Sequence, residues 1–404
     1  MRYIIVCLFF IASIFPVQPL SSQPLYIVGG QIITMTGITL NGGIIRVEQD
    51  KITYVGRRLS VPQDALVIDA EEKFITPGFI LAHSYVGVAP EKQRPNDDFT
   101  ITPGFRVLDA LNVQDPIFEV AARHGITSIN CMPLSDRVIA GSGILLKSYG
   151  LSFWDRIVKE QSALSINLIQ QNQDGAERTL ASEVENILAV RNRLNEAVAL
   201  KAENESVGKE ARTEAVSGHL QVLLKVINQE LPVMVYAQEP TEIERGISLV
   251  EDFDLHTQFI NIPDMNLFTD RFTSNRTAFI LEPDAILSRF ETGTDTVQNT
   301  TLLQNARNFR LGLMVDEKAS GGSQAIRHLA YFAARLKSLG LTPEEALQTI
   351  TVNPARMLNV EDRLGTLEVG KDADINIFSD HPMDGNLIPD LVIVDGVVVA
   401  EPGR

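Results

Sequence analysis

The sequence predicts an α/β protein made of one large α/β barrel and a small β-domain built from both chain ends. Its 404 residues suffice for a barrel with a satellite domain, and a core of that size needs no disulfide staples. Strand-like runs alternate with helical stretches in the middle of the chain, whereas short strands and tight turns occupy both ends. Such alternation indicates a parallel sheet with crossover helices.

The β-domain is predicted from matching patterns at the two ends of the chain. Residues 26–34 and 43–56 read as short strands joined by Gly and Asp-Lys turns. Residues 365–378 and 391–400 repeat this alternation of strands and turns. We therefore expect the first and last segments to fold together.

The middle of the chain carries the elements of the larger domain. A polar stretch at 183–214 has helical periodicity, and we interpret it as a solvated helix or a mobile excursion. Five runs are predicted to be strands: 127–131, 233–237, 258–261, 278–281 and 312–315.

The first 23 residues are predicted to be a secretory signal peptide. Arg2 supplies a positive start, and residues 4–15 are apolar or small. That run covers about 12 residues, fewer than the roughly 20 that span a bilayer. Cleavage is therefore favoured over an uncleaved anchor, and we expect Sec-type export to the periplasm or the extracellular space. Cleavage would remove Cys7 and leave Cys131 alone, without an internal disulfide.

Composition and charge exclude some classes of function. Hydrophobic residues make up 45% and charged residues 21% of the chain, which is typical of a soluble globular protein. The formal net charge of −16 argues against nucleic-acid binding, because phosphate neutralisation needs clustered Lys and Arg.

Three segments carry specific motifs. The first reads Phe74-Ile-Thr-Pro-Gly-Phe-Ile-Leu-Ala-His83-Ser-Tyr85, the second spans residues 124–147, and the third spans residues 341–358 and 365–374. Together they resemble the amidohydrolase superfamily, in particular its imidazolonepropionase-like exported members. The resemblance implies a (β/α)8 TIM-like barrel over 77–360 and a small β-sandwich domain formed by 24–76 and 361–404.

The resemblance also implies a metal-dependent hydrolase. In the family a divalent cation, usually zinc, lies at the C-terminal mouth of the barrel. Its ligands are a His-x-His pair on the first strand, further His from the fifth and sixth strands, and an Asp from the eighth. The metal lowers the pKa of bound water so that hydroxide can attack an amide carbonyl, with the Asp as proton acceptor.

This sequence keeps only part of that ligand set. His83 matches the first ligand and Asp316 matches the eighth-strand Asp. The remaining positions carry neutral side chains, which are weak donors for zinc and which we assign to substrate binding: Tyr85, Tyr236, Gln238 and Asn261. A tight zinc site of the family type is therefore not expected.

Each retained residue has two interpretations. His83 is either a hydrogen-bonded residue of the barrel mouth or a metal ligand or acid/base. Asp316 is either a salt-bridge or loop-capping residue, with Lys318 close by, or a catalytic carboxylate. We assign both to catalysis and, if a divalent metal binds, to its coordination.

Two functions follow from these interpretations. The chain is by family a hydrolase of amide or cyclic-amide C–N bonds with an eroded metal site. Alternatively, it is a catalytically inactive homologue that binds a small amide-type ligand or pairs with a related active amidohydrolase. A homodimer is also expected as a possible state of such barrels.

Overall fold

The structure is a computed structural model with a mixed α/β fold. It describes residues 23–88, 101–134, 137–169, 180–207, 217–260, 262, 271, 277–282, 309–315, 322–384 and 388–400. Asn261, Asp316 and nearly all of the predicted signal peptide lie outside these residues. Within the described chain, no helix is both long and apolar enough to cross a bilayer.

Seven short strands come first: β1 (Leu25–Val28), β2 (Gln31–Ile33), β3 (Thr39–Asn41), β4 (Ile44–Glu48), β5 (Lys51–Gly56), β6 (Leu66–Asp69) and β7 (Phe74–Pro77). Four of them form a sheet in the order β5-β4-β1-β6. The turn between β1 and β2 needs glycine, because a Cβ on Gly30 would lie 2.5 Å from the carbonyl oxygen of Ala70 and its φ is +67°.

The middle of the chain supplies further strands: β8 (Phe79–Ser84), β9 (Ile126–Cys131), β10 (Ile139–Ser142), β11 (Ile144–Lys147), β12 (Ile157–Lys159), β13 (Leu164–Asn167), β14 (Val233–Tyr236), β15 (Thr257–Ile260), β16 (Thr277–Leu281) and β17 (Arg310–Leu313). Strands β13 to β17 are consecutive parallel neighbours, and β8 is parallel to β9. The predicted parallel arrangement is confirmed for these strands. A parallel bridge also joins His83 to Met314, just after β17.

Helices connect these strands: α1 (Ile117–Arg123), α2 (Leu180–Val207), α3 (Gly218–Ile227), α4 (Pro240–Phe253), α5 (Leu329–Arg335), α6 (Pro343–Gln348) and α7 (Val352–Met357). Helix α2 accounts for the polar stretch up to residue 207. Helix α6 begins with a capping box, in which Thr342 Oγ1 accepts from the backbone N–H of Glu345 and the Glu345 carboxylate accepts from that of Thr342.

The last strands are β18 (Ile375–Phe378), β19 (Leu391–Val394) and β20 (Val397–Ala400). They join the N-terminal strands in a sheet of order β20-β19-β18-β7-β2-β3. Strand β7 pairs with β18 in antiparallel fashion, with Phe74 opposite Phe378 and Pro77 opposite Ile375. Strands from both chain ends therefore share one sheet.

Side chains of the parallel strands alternate between two packing layers. In β14, Val233 and Val235 belong to the larger core cluster, which includes residues of α3 and α4. Met234 and Tyr236 belong to a second cluster with side chains from β8, β11, β15, β16 and α7. Successive side chains of a strand point to opposite faces, so Tyr236 lies on the same face of β14 as Met234. The face that packs into this second cluster is here called the inner face.

A buried ionic cluster joins β11 to the C-terminal segment. The fully buried Lys147 Nζ lies 2.8 Å from Asp374, 2.9 Å from Asp395 and 3.0 Å from Asp372, measured to the nearest carboxylate oxygen. Arg363 adds a 2.8 Å contact to Asp372. Buried charges are tolerated when they are paired in this way.

The pKa values of the cluster follow from burial and pairing. Burial alone lowers the pKa of Lys147, but the three carboxylates outweigh it and raise that pKa above its ordinary value. Burial would raise the pKa of Asp372, but Lys147 and its other cationic partners lower it to about 2. Burial and the neighbouring Asp374 raise the pKa of Asp395 to about 6.

Candidate functional site

The candidate site begins at a β-bulge near the end of β8. Leu81 pairs with Ile129 of β9 and Ser84 pairs with Cys131, so three residue steps on β8 face two on β9. Bulges of this kind re-aim side chains, often beside functional sites. The bulge explains how Ala82, which belongs to the inner cluster, and the adjacent His83 can both reach the inner face.

His83 pairs with Tyr236 on that inner face. His83 Nε2 and the Tyr236 hydroxyl form a hydrogen bond, and their ring centroids lie 5.7 Å apart with planes inclined at 74°. The two side chains come from β8 and β14, 153 positions apart in the sequence. His83 is fully buried, and Tyr236 is 5% exposed. The structure therefore brings together two of the residues that the sequence assigned to the site.

Burial controls the protonation of His83. Removal of the imidazole from water lowers its pKa from 6.5 to about 3, because the charged form loses its hydration. The side chain is thus neutral near pH 7, when it can donate or accept a hydrogen bond according to its tautomer. A base with so low a pKa has little driving force for proton abstraction at that pH.

Tyr85 adjoins this pair, whereas Gln238 does not. The Tyr85 ring is half-buried and meets the His83 ring edge-on, with centroids 5.0 Å apart and planes at 89°. Gln238 is exposed, and its backbone N–H donates to the Glu242 carboxylate at 2.9 Å, at the start of α4. Strand β14 ends at Tyr236, so alternation does not carry the Gln238 side chain back to the inner face.

Asn130 is a positioning residue that sequence reasoning missed. This fully buried side chain donates to the carbonyl oxygen of Ala82 at 2.8 Å, beside the bulge, and accepts from Ser162 Oγ at 2.6 Å. Ser84 Oγ donates to the backbone carbonyl of Asn130 at 3.1 Å. These bonds fix the strand segment that carries His83. In the sequence, the signal for this residue was the polar Asn130 between Ile129 and Cys131, in the predicted strand 127–131.

The described side chains of this site do not supply the ligand set of a metal centre of the family type. No group of three or more His, Cys, Asp or Glu that could hold an ion occurs in the described part of the chain. His83 Nε2 is hydrogen-bonded to the neutral Tyr236 phenol. Zinc sites normally use three charged or imidazole ligands beside an open position. Asn261 and Asp316 lie outside the described residues.

Comparison with known proteins gives a consistent assignment. Amidohydrolase tasK of Hapsidospora irregularis is 24% identical over 88% of this chain, which spans 39% of that protein's length. An imidazolonepropionase of Brucella anthropi is 23% identical over 84% of this chain and 87% of its own. The crystal structure of an amidohydrolase from Thermotoga maritima MSB8 superposes with a TM-score of 0.78, at 23% identity, covering 93% of this chain and all of that one.

The strongest assignment comes from the family match. The model of the amidohydrolase family matches residues 74–399, which is well over half of the sequence. The match begins at β7 and ends within β20, so it includes the whole of the parallel-strand region. This chain belongs to the amidohydrolase family.

Proposed function

We propose that this chain is a hydrolase of non-peptide C–N bonds, in amides or cyclic amides, whose metal site is eroded. Family membership supports the reaction class, and one full-length relative is named an imidazolonepropionase. The observation that carries the proposal is the position of His83, which is buried beside Tyr236 at the end of β8. The family resemblance puts its first metal-ligating histidine at this point.

In this proposal His83 Nε2–H donates to the Tyr236 hydroxyl oxygen, and the Tyr236 O–H donates to the oxygen of the scissile carbonyl. Donors aimed at that oxygen stabilise the charge that develops as water attacks the carbon. Asp316 would take the proton from the attacking water and return it to the nitrogen as the C–N bond breaks. Tyr85, Asn261 and Gln238 would contact the rest of the substrate, Gln238 from the exposed rim.

A divalent metal is a separate question. Members of the family commonly use one, and His83 and Asp316 would be the retained ligands in this chain. Tyr85 and Tyr236 provide phenols where the family has imidazoles. We therefore assign no step of the reaction to a metal, whether zinc or another ion.

A second candidate function is supported by the hydrogen bond itself. The Nε2 atom of His83, which would face a metal or substrate, is bonded to Tyr236, and burial lowers the pKa of His83 to about 3. Both features suit a neutral binding site better than a general base. The second proposal is thus a catalytically inactive homologue that binds a small amide-type ligand or pairs with a related active subunit.

Metal content and hydrolysis distinguish the two candidates. Protein purified without chelators would be analysed for bound metal and assayed against a panel of amides and cyclic amides. Under the first proposal, His83→Ala and Asp316→Ala abolish turnover, whereas His219→Ala, at an exposed position, does not. Under the second, no substrate is turned over, yet an amide ligand binds to the wild type and more weakly to His83→Ala. Failure of both turnover and binding would refute both proposals.

Three structural proposals accompany the function. We propose that the parallel strands close into a (β/α)8 barrel over 77–360, supported by the bridge between His83 and Met314. Residues 24–76 and 361–404 would form the β-sandwich domain.

We also propose that residues 1–23 direct export and are removed. Mass spectrometry of the protein from the periplasm or medium would reveal the mature N-terminus. An intact cytoplasmic chain would refute export.

A further inference from the structure

Asn167 ends β13 directly beside the candidate site. In the parallel pairing of β13 with β14, Asn167 lies opposite Tyr236, and the backbone N–H of Leu168 donates to the Tyr236 carbonyl at 2.9 Å. Ile166, one residue earlier, packs into the larger core cluster. Because strand side chains alternate, the Asn167 side chain lies on the inner face with that of Tyr236. Asn167 is only 4% exposed, so both residues of this pair are buried.

A backbone hydrogen bond fixes the orientation of the Asn167 amide group. The backbone N–H of Ile169 lies 2.8 Å from Asn167 Oδ1. A backbone N–H can only donate, so the atom that accepts it must be the amide oxygen. The Nδ2 group, with its two N–H donors, is therefore held on the other side of the amide. Ile169 packs against the second core cluster, so this turn lies beside the inner face.

Tyr236 and Asn167 carry hydrogen-bond donors of different reach. The Tyr236 hydroxyl bonds to His83, which lies on β8 and not on a strand that pairs with β14, so the phenol extends across the inner face. The Asn167 side chain is short and stays close to β13. An acceptor at the inner face can thus receive one hydrogen bond from each residue. Both donors are uncharged, which suits a carbonyl oxygen, because a buried carboxylate or phosphate is normally paired with a cation.

We propose that Asn167 Nδ2 donates a second hydrogen bond to the carbonyl oxygen of the bound amide, beside the bond from the Tyr236 hydroxyl. This inference rests on the proposed function and adds a residue to it. A carbonyl oxygen has two lone pairs and can accept both bonds, which strengthen as negative charge develops on the oxygen. A homologue that only binds its ligand would use the same two bonds without turnover.

Two substitutions separate the donor from the turn that holds it. Asn167→Asp keeps an oxygen for the Ile169 N–H but has no N–H group for the substrate. Asn167→Ser makes the same change without adding a charge, because a serine hydroxyl can also accept the N–H two residues further on. Asn41→Asp is the matched control. Asn41 is exposed, and its Oδ1 accepts from Gln31 Nε2 at 3.0 Å, a bond that the carboxylate keeps.

Kinetics and binding would be measured with the best amide of the panel. We expect both Asn167 variants to lower kcat about 100-fold, as the loss of one donor to a developing oxyanion does. If the wild type binds the amide without hydrolysing it, we expect Kd to rise about tenfold instead. Asn167→Ser should keep a midpoint of urea unfolding close to that of the wild type. Asn41→Asp should change neither the function nor the midpoint.

A thioamide analogue provides a readout that a purely structural role would not change. Sulfur is a weak hydrogen-bond acceptor, so the wild type should discriminate against the thioamide. Asn167→Ser should discriminate by a smaller factor, because one of the two bonds to that atom is already absent.

The outcomes distinguish this inference from the proposed function. Unchanged kcat and Kd in both Asn167 variants would overturn the inference and leave the proposed function intact. A lower urea midpoint in both variants, with wild-type discrimination against the thioamide, would also overturn it, since Asn167 would then serve only the fold. A wild type that neither hydrolyses nor binds any amide would refute the proposed function, and this inference with it.

Discussion

Replacing Lys147 with methionine tests how strongly the buried ionic cluster holds β11 to the C-terminal segment. Methionine has a similar length but no charge, so the carboxylates of Asp372, Asp374 and Asp395 lose the cation that they share. Arg363 and Lys51 still pair with Asp372. The other two carboxylates should therefore account for most of the loss.

The expected magnitude follows from the geometry. Removing one partner of a buried ion pair costs about 3–5 kcal/mol, because the remaining charge stays buried without compensation. Lys147 contacts three carboxylates, of which Asp372 keeps two other cations, Lys51 and Arg363. We expect Lys147→Met to lower the free energy of unfolding by about 4 kcal/mol near pH 8.

The difference in the free energy of unfolding between the wild type and Lys147→Met, here called the deficit, should become smaller at acidic pH. Burial and Asp374 raise the pKa of Asp395 to about 6 in the wild type. A carboxyl group with a raised pKa stabilises the fold below its unfolded pKa, and this stabilisation is lost as the pH rises through the folded pKa. Without Lys147 that pKa rises further, so the variant gains more stability than the wild type on acidification. The Asp372 contribution, with its depressed pKa, is lost only below about pH 4.

Urea unfolding followed by circular dichroism, at about pH 8 and about pH 5, would measure both effects. Lys73→Met is the matched control, because Lys73 forms a 2.8 Å ion pair with Asp390 in which both side chains are partly exposed. Such a pair is worth at most about 1 kcal/mol. The reasoning is refuted if Lys147→Met costs no more than this control near pH 8, or if its deficit widens near pH 5.

Three further substitutions address the candidate site and its supports. Tyr236→Phe leaves the buried Nε2 of His83 without its hydrogen-bond partner and should lower the free energy of unfolding by about 1–2 kcal/mol. An unchanged midpoint of urea unfolding would contradict the hydrogen bond. Asn130→Leu removes the donor to the Ala82 carbonyl and should cost about 1–3 kcal/mol, with lower thermal stability as the readout. Glu242→Ala removes the carboxylate that accepts two backbone N–H groups at the start of α4. It should cost about 1 kcal/mol and speed amide hydrogen exchange there, whereas unaltered exchange would argue against the cap.

The sequence indicated the strand framework well, because strand formation here depends on local patterns. The apolar runs at 233–237 and 278–281 correspond to β14 and β16, within a residue at either end. The bulge in β8 could not be read from the sequence. It depends on how Ser84 and Leu81 pair with β9, and an apolar strand buried on both faces gives no alternation from which to set the register.

Long-range polar contacts were equally hidden. Lys147 ends a glycine-rich return, and Asp374 ends a C-terminal motif; both segments were recognised, yet their charges meet across 227 positions. Gln238 was assigned to substrate binding on the assumption that the strand continues past Tyr236. The chain instead turns there, because Glu242 accepts the backbone N–H of Gln238 and starts a helix. Both features depend on contacts that a single sequence does not specify.

The residue at position 236 shows how this site differs from a metal centre of the family type, although the strands that carry the site are present. An imidazole there would present a second nitrogen to a shared cation, whereas the Tyr236 phenol hydrogen-bonds directly to His83 Nε2. This bond gives the buried Nε2 of His83 an uncharged hydrogen-bonding partner. Burial then lowers its pKa to about 3, which favours a neutral hydrogen-bonding role over proton abstraction. If hydrolysis occurs here, its proton acceptor must therefore be a group other than His83, and Asp316 is the residue to test first.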